Sequence, residues 1–184
     1  MTSKKYDFDQ KVALVTGSSS GIGAAAVLQF ARCNARVVVN GLVAEDVESV
    51  SKQVEEITGT KPLSFTGDLT DEAFATEVVE STVKTYGQID ILVNNAGIAI
   101  LGSKFGVPDL MDRYDKIMSI NLRLPFLMTQ LCLPYLESTK GCIVNTSSVA
   151  AYSSFVNILF LFSTKVFSQF VFVRTQFIVL QKLA

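Results

Sequence analysis

Apolar positions along this chain follow two alternating rhythms. Short, nearly unbroken runs rich in Val, Ile and Leu predict strands buried on both faces: KVALVTG (11–17), ARVVVN (35–40), PLSFTGD (62–68), IDILVNNAG (89–97) and GCIVNTSS (141–148). Longer segments of helical character separate them. Residues 21–33 are alanine-rich, and 44–57 carry Val47, Val50, Val54 and Ile57 on one face. Residues 71–87 follow a Thr70 cap and stop at Gly87. A long helical region runs from about Pro108 to Leu136, with Pro125 and Pro134 expected to kink it or mark its ends. This alternation predicts a parallel sheet covered on both faces by helices, an α/β/α three-layer fold entered through right-handed crossovers.

The last thirty residues break the rhythm. From Phe155 onward they hold seven of the thirteen phenylalanines, with Lys165 and Arg174 interrupting the apolar run well short of membrane-spanning length. Aromatic and β-branched residues leave helix and strand both open there. This aromatic-rich tail (155–184) is expected to be buried or to face another subunit. A homo-oligomer is therefore an expected partner state, and membrane contact is not.

Bulk properties narrow the classes further. With 184 residues, 49% of them apolar, the chain is expected to be one globular domain (1–184). A formal net charge of −1 offers no broad field for nucleic acid. The three cysteines form no C-x-x-C pair, and MTSKKYDFDQK holds no apolar stretch like a signal peptide, so a cytoplasmic protein is expected. The absence of histidine excludes His-based triads and His-ligated zinc, and no metal site is expected.

Between the first strand and the first helix lies TGSSSGIG, with Gly17, Gly21 and Gly23 at G-x-x-x-G-x-G spacing. Glycines there permit a tight turn and close backbone approach. The helix N-terminus, from Gly21 through Ile22 and Gly23, offers N–H groups and positive potential to a pyrophosphate. Ser18, Ser19 and Ser20 are candidate hydroxyl donors. No lysine follows the last glycine, which rules out a Walker loop.

Further motifs stand in a fixed order: GDL at Gly67–Leu69, NNAG at Asn94–Gly97, SINL at Ser119–Leu122 and IVNTSS at Ile143–Ser148. With the glycine loop, this set resembles the short-chain dehydrogenase/reductase family over residues 11 to about 150. The resemblance implies a doubly wound Rossmann domain that binds NAD or NADP and transfers hydride to or from a small-molecule carbonyl or alcohol. It implies that Asp68 and Leu69 contact the adenine, and that Asn95, Ala96 and Gly97 line the cofactor's ribose side. It also implies that Asn121 supports a lysine through water, that Ser148 hydrogen-bonds the substrate oxygen, and that Lys165 holds the ribose. An acid at the end of the second strand favours NAD in this family, and basic residues nearby favour NADP. Here Gly41, Ser20 and Leu42 occupy those positions, and the missing acid gives a slight lean to NADP.

Two departures cut against a working enzyme. The family's proton-exchanging tyrosine falls thirteen residues after the serine, where this chain has Leu161. The family also continues with a further strand, a Pro-Gly turn, a substrate loop and a final strand, which implies a sheet incomplete at its C-terminal edge. Three readings follow: a short-chain oxidoreductase of impaired activity, a non-catalytic nucleotide-binding or oligomerising relative, or an altered ending of such an enzyme's gene product.

Overall fold

The computed structural model describes residues 6–102 and 105–147. Five parallel strands form one sheet: β1 (Val12–Val15), β2 (Arg36–Gly41), β3 (Leu63–Thr66), β4 (Ile91–Asn94) and β5 (Cys142–Asn145). Their order across the sheet is β3-β2-β1-β4-β5, so the winding reverses between β1 and β4. β1 pairs with β2 through Ala13↔Val37 and with β4 through Ala13↔Ile91. The expected doubly wound Rossmann fold is therefore the fold observed. Among the described residues β5 is the outermost strand on its side.

Two-residue periodicity divides the core between the two faces of the sheet. Leu14, Val38, Leu92 and Ile143 point to one face, where they join Ala75, Val78 and Val79 of α3 (Glu72–Tyr86) and Met128, Cys132 and Leu136 of α5 (Leu124–Thr139). Ala13, Val15, Val37, Val39, Ile91 and Val93 point to the other. There they meet Val27 and Ala31 of α1 (Gly21–Arg32) and Val47, Val50 and Val54 of α2 (Ala44–Thr58). Ile57, expected on the same face of α2, is exposed because the last turn of that helix runs past the core.

β1, β3, β4 and β5 are shorter than the apolar runs that announced them, because the C-terminal residues of those runs lie beyond the sheet, whereas β2 keeps its length and reaches Gly41. The cap of α3 is Asp71 rather than Thr70: its carboxylate accepts from the N–H groups of Ala73 (2.9 Å) and Phe74 (3.4 Å). A carboxylate at that place suits both the orphan donors and the helix dipole. Thr70 instead donates through N–H and hydroxyl to Asp68.

The long helical region is α4 (Leu110–Met118), a π-turn over Ser119–Arg123, and α5 in direct succession. The Leu124 N–H donates to the Ser119 carbonyl, five residues back, and Pro125 in the next position has no N–H to continue the ordinary ladder. Pro125 thus marks a start, as expected, whereas Pro134 lies inside α5 without ending it.

At the N-terminal edge of the sheet the buried Asp90 carboxylate accepts from Lys11 Nζ (2.8 Å), the Val12 N–H (2.9 Å) and Gln88 Nε2 (2.7 Å). This ties the starts of β1 and β4 together. No helix among the described residues is long and apolar enough to cross a membrane.

Candidate functional site

Because the strands are parallel, all their C-terminal ends lie at one edge, and the segments that follow β1 and β4 meet at the point of reversal. Gly17 adopts a φ of +64°, and a Cβ placed on it would lie 3.0 Å from the Ala96 Cα. Gly23, in the first turn of α1, approaches closer still: a Cβ there would lie 2.2 Å from the Gly17 carbonyl oxygen and 2.5 Å from Asn95 Nδ2. Only glycine fits that packing of helix on loop.

Polar residues that end the buried strands hold this seam in place. Thr16 Oγ1 accepts from the N–H groups of Asn95 and Ala96, both at 3.0 Å. Asn95 Nδ2 donates back to the Thr16 carbonyl at 3.0 Å. Across β2, Asn40 is almost wholly buried. Its Oδ1 accepts from the Gly17 N–H (2.9 Å) and its Nδ2 donates to the Val15 carbonyl (2.7 Å). Its backbone N–H donates to Ser18 Oγ (2.9 Å), and its carbonyl accepts from the Ser19 N–H (3.1 Å). Every hydrogen-bonding group of Asn40 therefore holds residues 15–19. Neither Thr16 nor Asn40 stood out in the sequence; the signal was a polar residue closing each apolar run, as in VALVT and VVVN.

Among the loop residues, Ser18 departs from expectation. Gly17, Ser19, Ser20, Gly21, Ile22 and Gly23 ring the N-terminus of α1, whose first N–H groups have no intrahelical acceptor. Ser20 is its N-cap residue but makes no side-chain cap bond. Ser18, expected as a ligand donor, is buried, and its hydroxyl donates inward to the Val38 carbonyl (3.4 Å). It braces the loop and does not face a ligand.

Asp68 follows β3 at the same edge, its Oδ1 engaged by Thr70. The side chain of Leu69 is buried in the core, which leaves only its backbone to meet a ligand. Asn95, Ala96 and Gly97 follow β4 directly.

Asn121 lies within the π-turn and reaches across to the segment after β4. Its Oδ1 accepts from the Ile98 N–H and its Nδ2 donates to the Ile98 carbonyl, both at 2.9 Å. This two-point tie sets the path of the chain leaving NNAG. Below it, buried Asn94 and Asn145 join the ends of β4 and β5 through Asn94 Nδ2 and Asn145 Oδ1 (2.8 Å). Ser148, Leu161 and Lys165, with the aromatic tail, lie outside the described residues.

The arrangement offers glycine-lined backbone, helix N-terminal donors and neutral side chains along one seam. That combination suits an elongated anionic ligand laid across the reversal point. The two close glycine approaches are contacts within the protein, which seat the first turn of α1 on the loop and the loop on the segment after β4. A cavity of about 390 Å³ opens at the opposite edge, among Arg32, Arg36, Lys61 and Tyr86, remote from all of these residues. Among the described residues no cluster of acidic or thiol side chains could hold a metal. Of the thiols, burial pushes Cys132 up to about 12, and Cys142 is raised by burial and then by the charge of Asp90.

The fold is a doubly wound α/β domain of the Rossmann type. The chain belongs to the short chain dehydrogenase family, whose sequence model it matches over residues 11–170. It is 39% identical over 140 residues to the 3-oxoacyl-(acyl-carrier-protein) reductase FabG of Thermotoga maritima, covering 76% of this chain and 56% of that protein. It is 37% identical over 160 residues to the uncharacterized oxidoreductase YghA of Escherichia coli, covering 83% and 52%. The chain thus spans a little over half the length of these curated relatives.

Among solved structures, a short-chain dehydrogenase/reductase of Caenorhabditis elegans with cofactor superposes with a TM-score of 0.81. Its identity is 31%, over 88% of this chain and 62% of that one. A 7α-hydroxysteroid dehydrogenase complexed with NADH and 7-oxo glycochenodeoxycholic acid gives a TM-score of 0.78. Here identity is 28%, over 87% and 62%.

Proposed function

We propose that this chain is an NAD(P)-binding oxidoreductase of the short-chain type whose activity is strongly impaired by Leu161. The observation that carries the cofactor reading is the seam itself: the glycine loop after β1 and the NNAG segment after β4 are locked together by Thr16, Asn40 and Asn95. In this reading Gly17, Ser19, Ser20, Gly21, Ile22 and Gly23 hold the pyrophosphate. Asp68 and Leu69 meet the adenine, and Asn95, Ala96, Gly97 and Lys165 meet the ribose. When bound, the nicotinamide supplies or accepts the hydride.

The chain's own task is then to orient that group against a small carbonyl or alcohol and to move a proton at the substrate oxygen. Ser148 would hydrogen-bond that oxygen, and Asn121 would support Lys165 through water. Relatives named for a 3-oxoacyl reductase and a 7α-hydroxysteroid dehydrogenase both interconvert a ketone and a hydroxyl, which supports the carbonyl/alcohol class. Gly41 places no carboxylate at the end of β2, which favours NADP by sparing a 2′-phosphate any repulsion. A cytoplasmic setting and self-association fit the same reading.

Leu161 has no proton to exchange, and removing a positioned general acid lowers rate by about 10²–10⁴. Oxidation of NADPH and NADH by wild type and Leu161→Tyr across a carbonyl panel tests this. The expected result is weak or no wild-type turnover and a gain within that range for Leu161→Tyr. Equal turnover by both proteins would overturn the role given to residue 161. The same departure at 161 favours a second reading, a nucleotide-binding relative without chemistry. Tight cofactor binding with no turnover even in Leu161→Tyr selects it.

A further inference from the structure

The cavity at the N-terminal edge of the sheet differs from the seam in both shape and charge. It opens where α1 and α2 end beside the starts of β2 and β3, a strand's length of roughly 16 Å from the glycine loop. Its volume of about 390 Å³ falls within the range of small-molecule sites. Val37, Val54 and Tyr86 line it. Both valines are buried, and the Tyr86 hydroxyl is engaged within the protein, accepting from the Leu63 N–H (2.9 Å) and donating to the Val37 carbonyl (3.4 Å). Ile57 also lines it and is 36% exposed, an apolar side chain left uncovered.

Three cations, Arg32, Arg36 and Lys61, complete the lining, and their charge is only partly offset. Lys61 holds Glu48 (3.1 Å), which Lys52 shares (3.8 Å). Arg36 donates through one nitrogen to the neutral Gln10 side chain, which leaves most of its fork unused. Arg32 makes no ion pair among the described residues. Helix C-termini would favour a cation here, but their carbonyls are largely taken. Those of Gln29, Phe30 and Ala31 accept from the N–H groups of Cys33, Asn34 and Ala35; those of Val54 and Glu55 accept from Thr58 Oγ1 and the Gly59 N–H. Donors and apolar surface are what the cavity has left to offer.

We propose that this cavity binds a small amphipathic monoanion, a carboxylate on a short hydrocarbon tail. Arg32 and Arg36 take the carboxylate, because a guanidinium matches its two oxygens with paired N–H donors. The tail covers Ile57 and lies along Val37 and Val54. No residue is shared with the seam, so the site does not depend on the cofactor reading, and both ligands can occupy one chain.

Isothermal titration calorimetry with octanoate tests the site, with acetate lacking the tail and octylammonium lacking the negative charge. One octanoate should bind per chain with a Kd of about 1 mM or tighter, and the other two at least about tenfold more weakly. Saturating NADPH should leave the octanoate Kd within about twofold of its value alone. Arg32→Gln/Arg36→Gln should weaken octanoate by about tenfold or more, and Ile57→Gln by about fivefold with both charges in place.

No octanoate binding, equal binding of acetate or octylammonium, or an unchanged Kd in the double arginine variant would overturn the proposal. Competition between octanoate and NADPH overturns it too, by placing the carboxylate at the seam. Both arginines are exposed, so the melting temperature should stay near that of wild type. Should the double variant fail to fold, Ile57→Gln decides, and an unchanged Kd there overturns the site. A wild type that binds octanoate but neither dinucleotide supports this site and overturns only the cofactor reading.

Discussion

Asn40→Ala is the sharpest single perturbation of the seam. The side chain is buried and makes two hydrogen bonds, accepting from the Gly17 N–H at 2.9 Å and donating to the Val15 carbonyl at 2.7 Å. Truncation removes both, leaving the half-buried Gly17 N–H and the buried Val15 carbonyl without these partners. Each such buried orphan costs about 1–3 kcal/mol, so the expected loss of stability is about 3 kcal/mol. Asn40→Asp should be no better, since it keeps the acceptor for Gly17 but sets a carboxylate oxygen against the Val15 carbonyl.

On the proposed cofactor reading the effect should extend beyond stability, because the same bonds fix the Gly17 turn. Urea denaturation gives the first quantity, and nucleotide fluorescence titration gives the second. NADH and NADPH should weaken together, by about tenfold, since the loop would meet the pyrophosphate common to both. A loss below about 0.5 kcal/mol with unchanged affinities would refute the clamp, as that is the scatter expected of an inert surface change.

Three further outcomes are expected. Asp90→Ala should destabilise by about 2 kcal/mol, because it leaves the buried Val12 N–H without its acceptor while Lys11 and Gln88 return to solvent. Since that cluster lies at the far edge of the sheet, nucleotide titration of the folded variant should return wild-type affinity. Asn121→Ala should cost about 2 kcal/mol by urea denaturation through loss of both bonds to Ile98, with Asn121→Asp falling between it and wild type.

The thiol of Cys132, pushed up to about 12 in the folded chain, ionises in the unfolded chain near its ordinary value of about 8.5. The unfolded state then binds fewer protons than the folded state above that value. The stabilisation is fully present below about pH 8.5 and is lost as pH rises towards 12. At pH 10.5 the loss from Cys132 should approach about 2–3 kcal/mol, read as the difference between wild type and Cys132→Ala when each is referred to its own value at pH 7. Urea melts at the two pH values measure it.

Much of the fold was legible because a buried parallel strand has a simple signature. Val37, Val38 and Val39 must all be apolar, as both faces of the sheet are covered, and the same holds for residues 12–15 and 91–93. What escaped was decided by single polar atoms. Whether Thr70 or Asp71 caps α3 depends on which side chain reaches Ala73 and Phe74, a matter of one residue's backbone angle. Ser18 and Ser19 are identical in sequence, yet one hydroxyl braces β2 and the other residue abuts Gly41. The glycine loop was readable from its spacing as a tight turn between β1 and α1. The residues that hold it were not, because Asn40 and Thr16 act through tertiary contacts with segments up to eighty positions away.

The reversal between β1 and β4 also governs how the chain reaches its folded form. Ala13 pairs with Ile91, 78 positions later, and no local turn brings those strands together. Closing a loop of that length costs roughly 4 kcal/mol in chain entropy before any contact repays it. Only when β1 and β4 are side by side can Thr16 reach the amides of Asn95 and Ala96. The seam between the glycine loop and the segment after β4 therefore depends on that long-range pairing. Because Thr16 and Asn95 meet nowhere but across that seam, its formation reports that both halves of the sheet have joined.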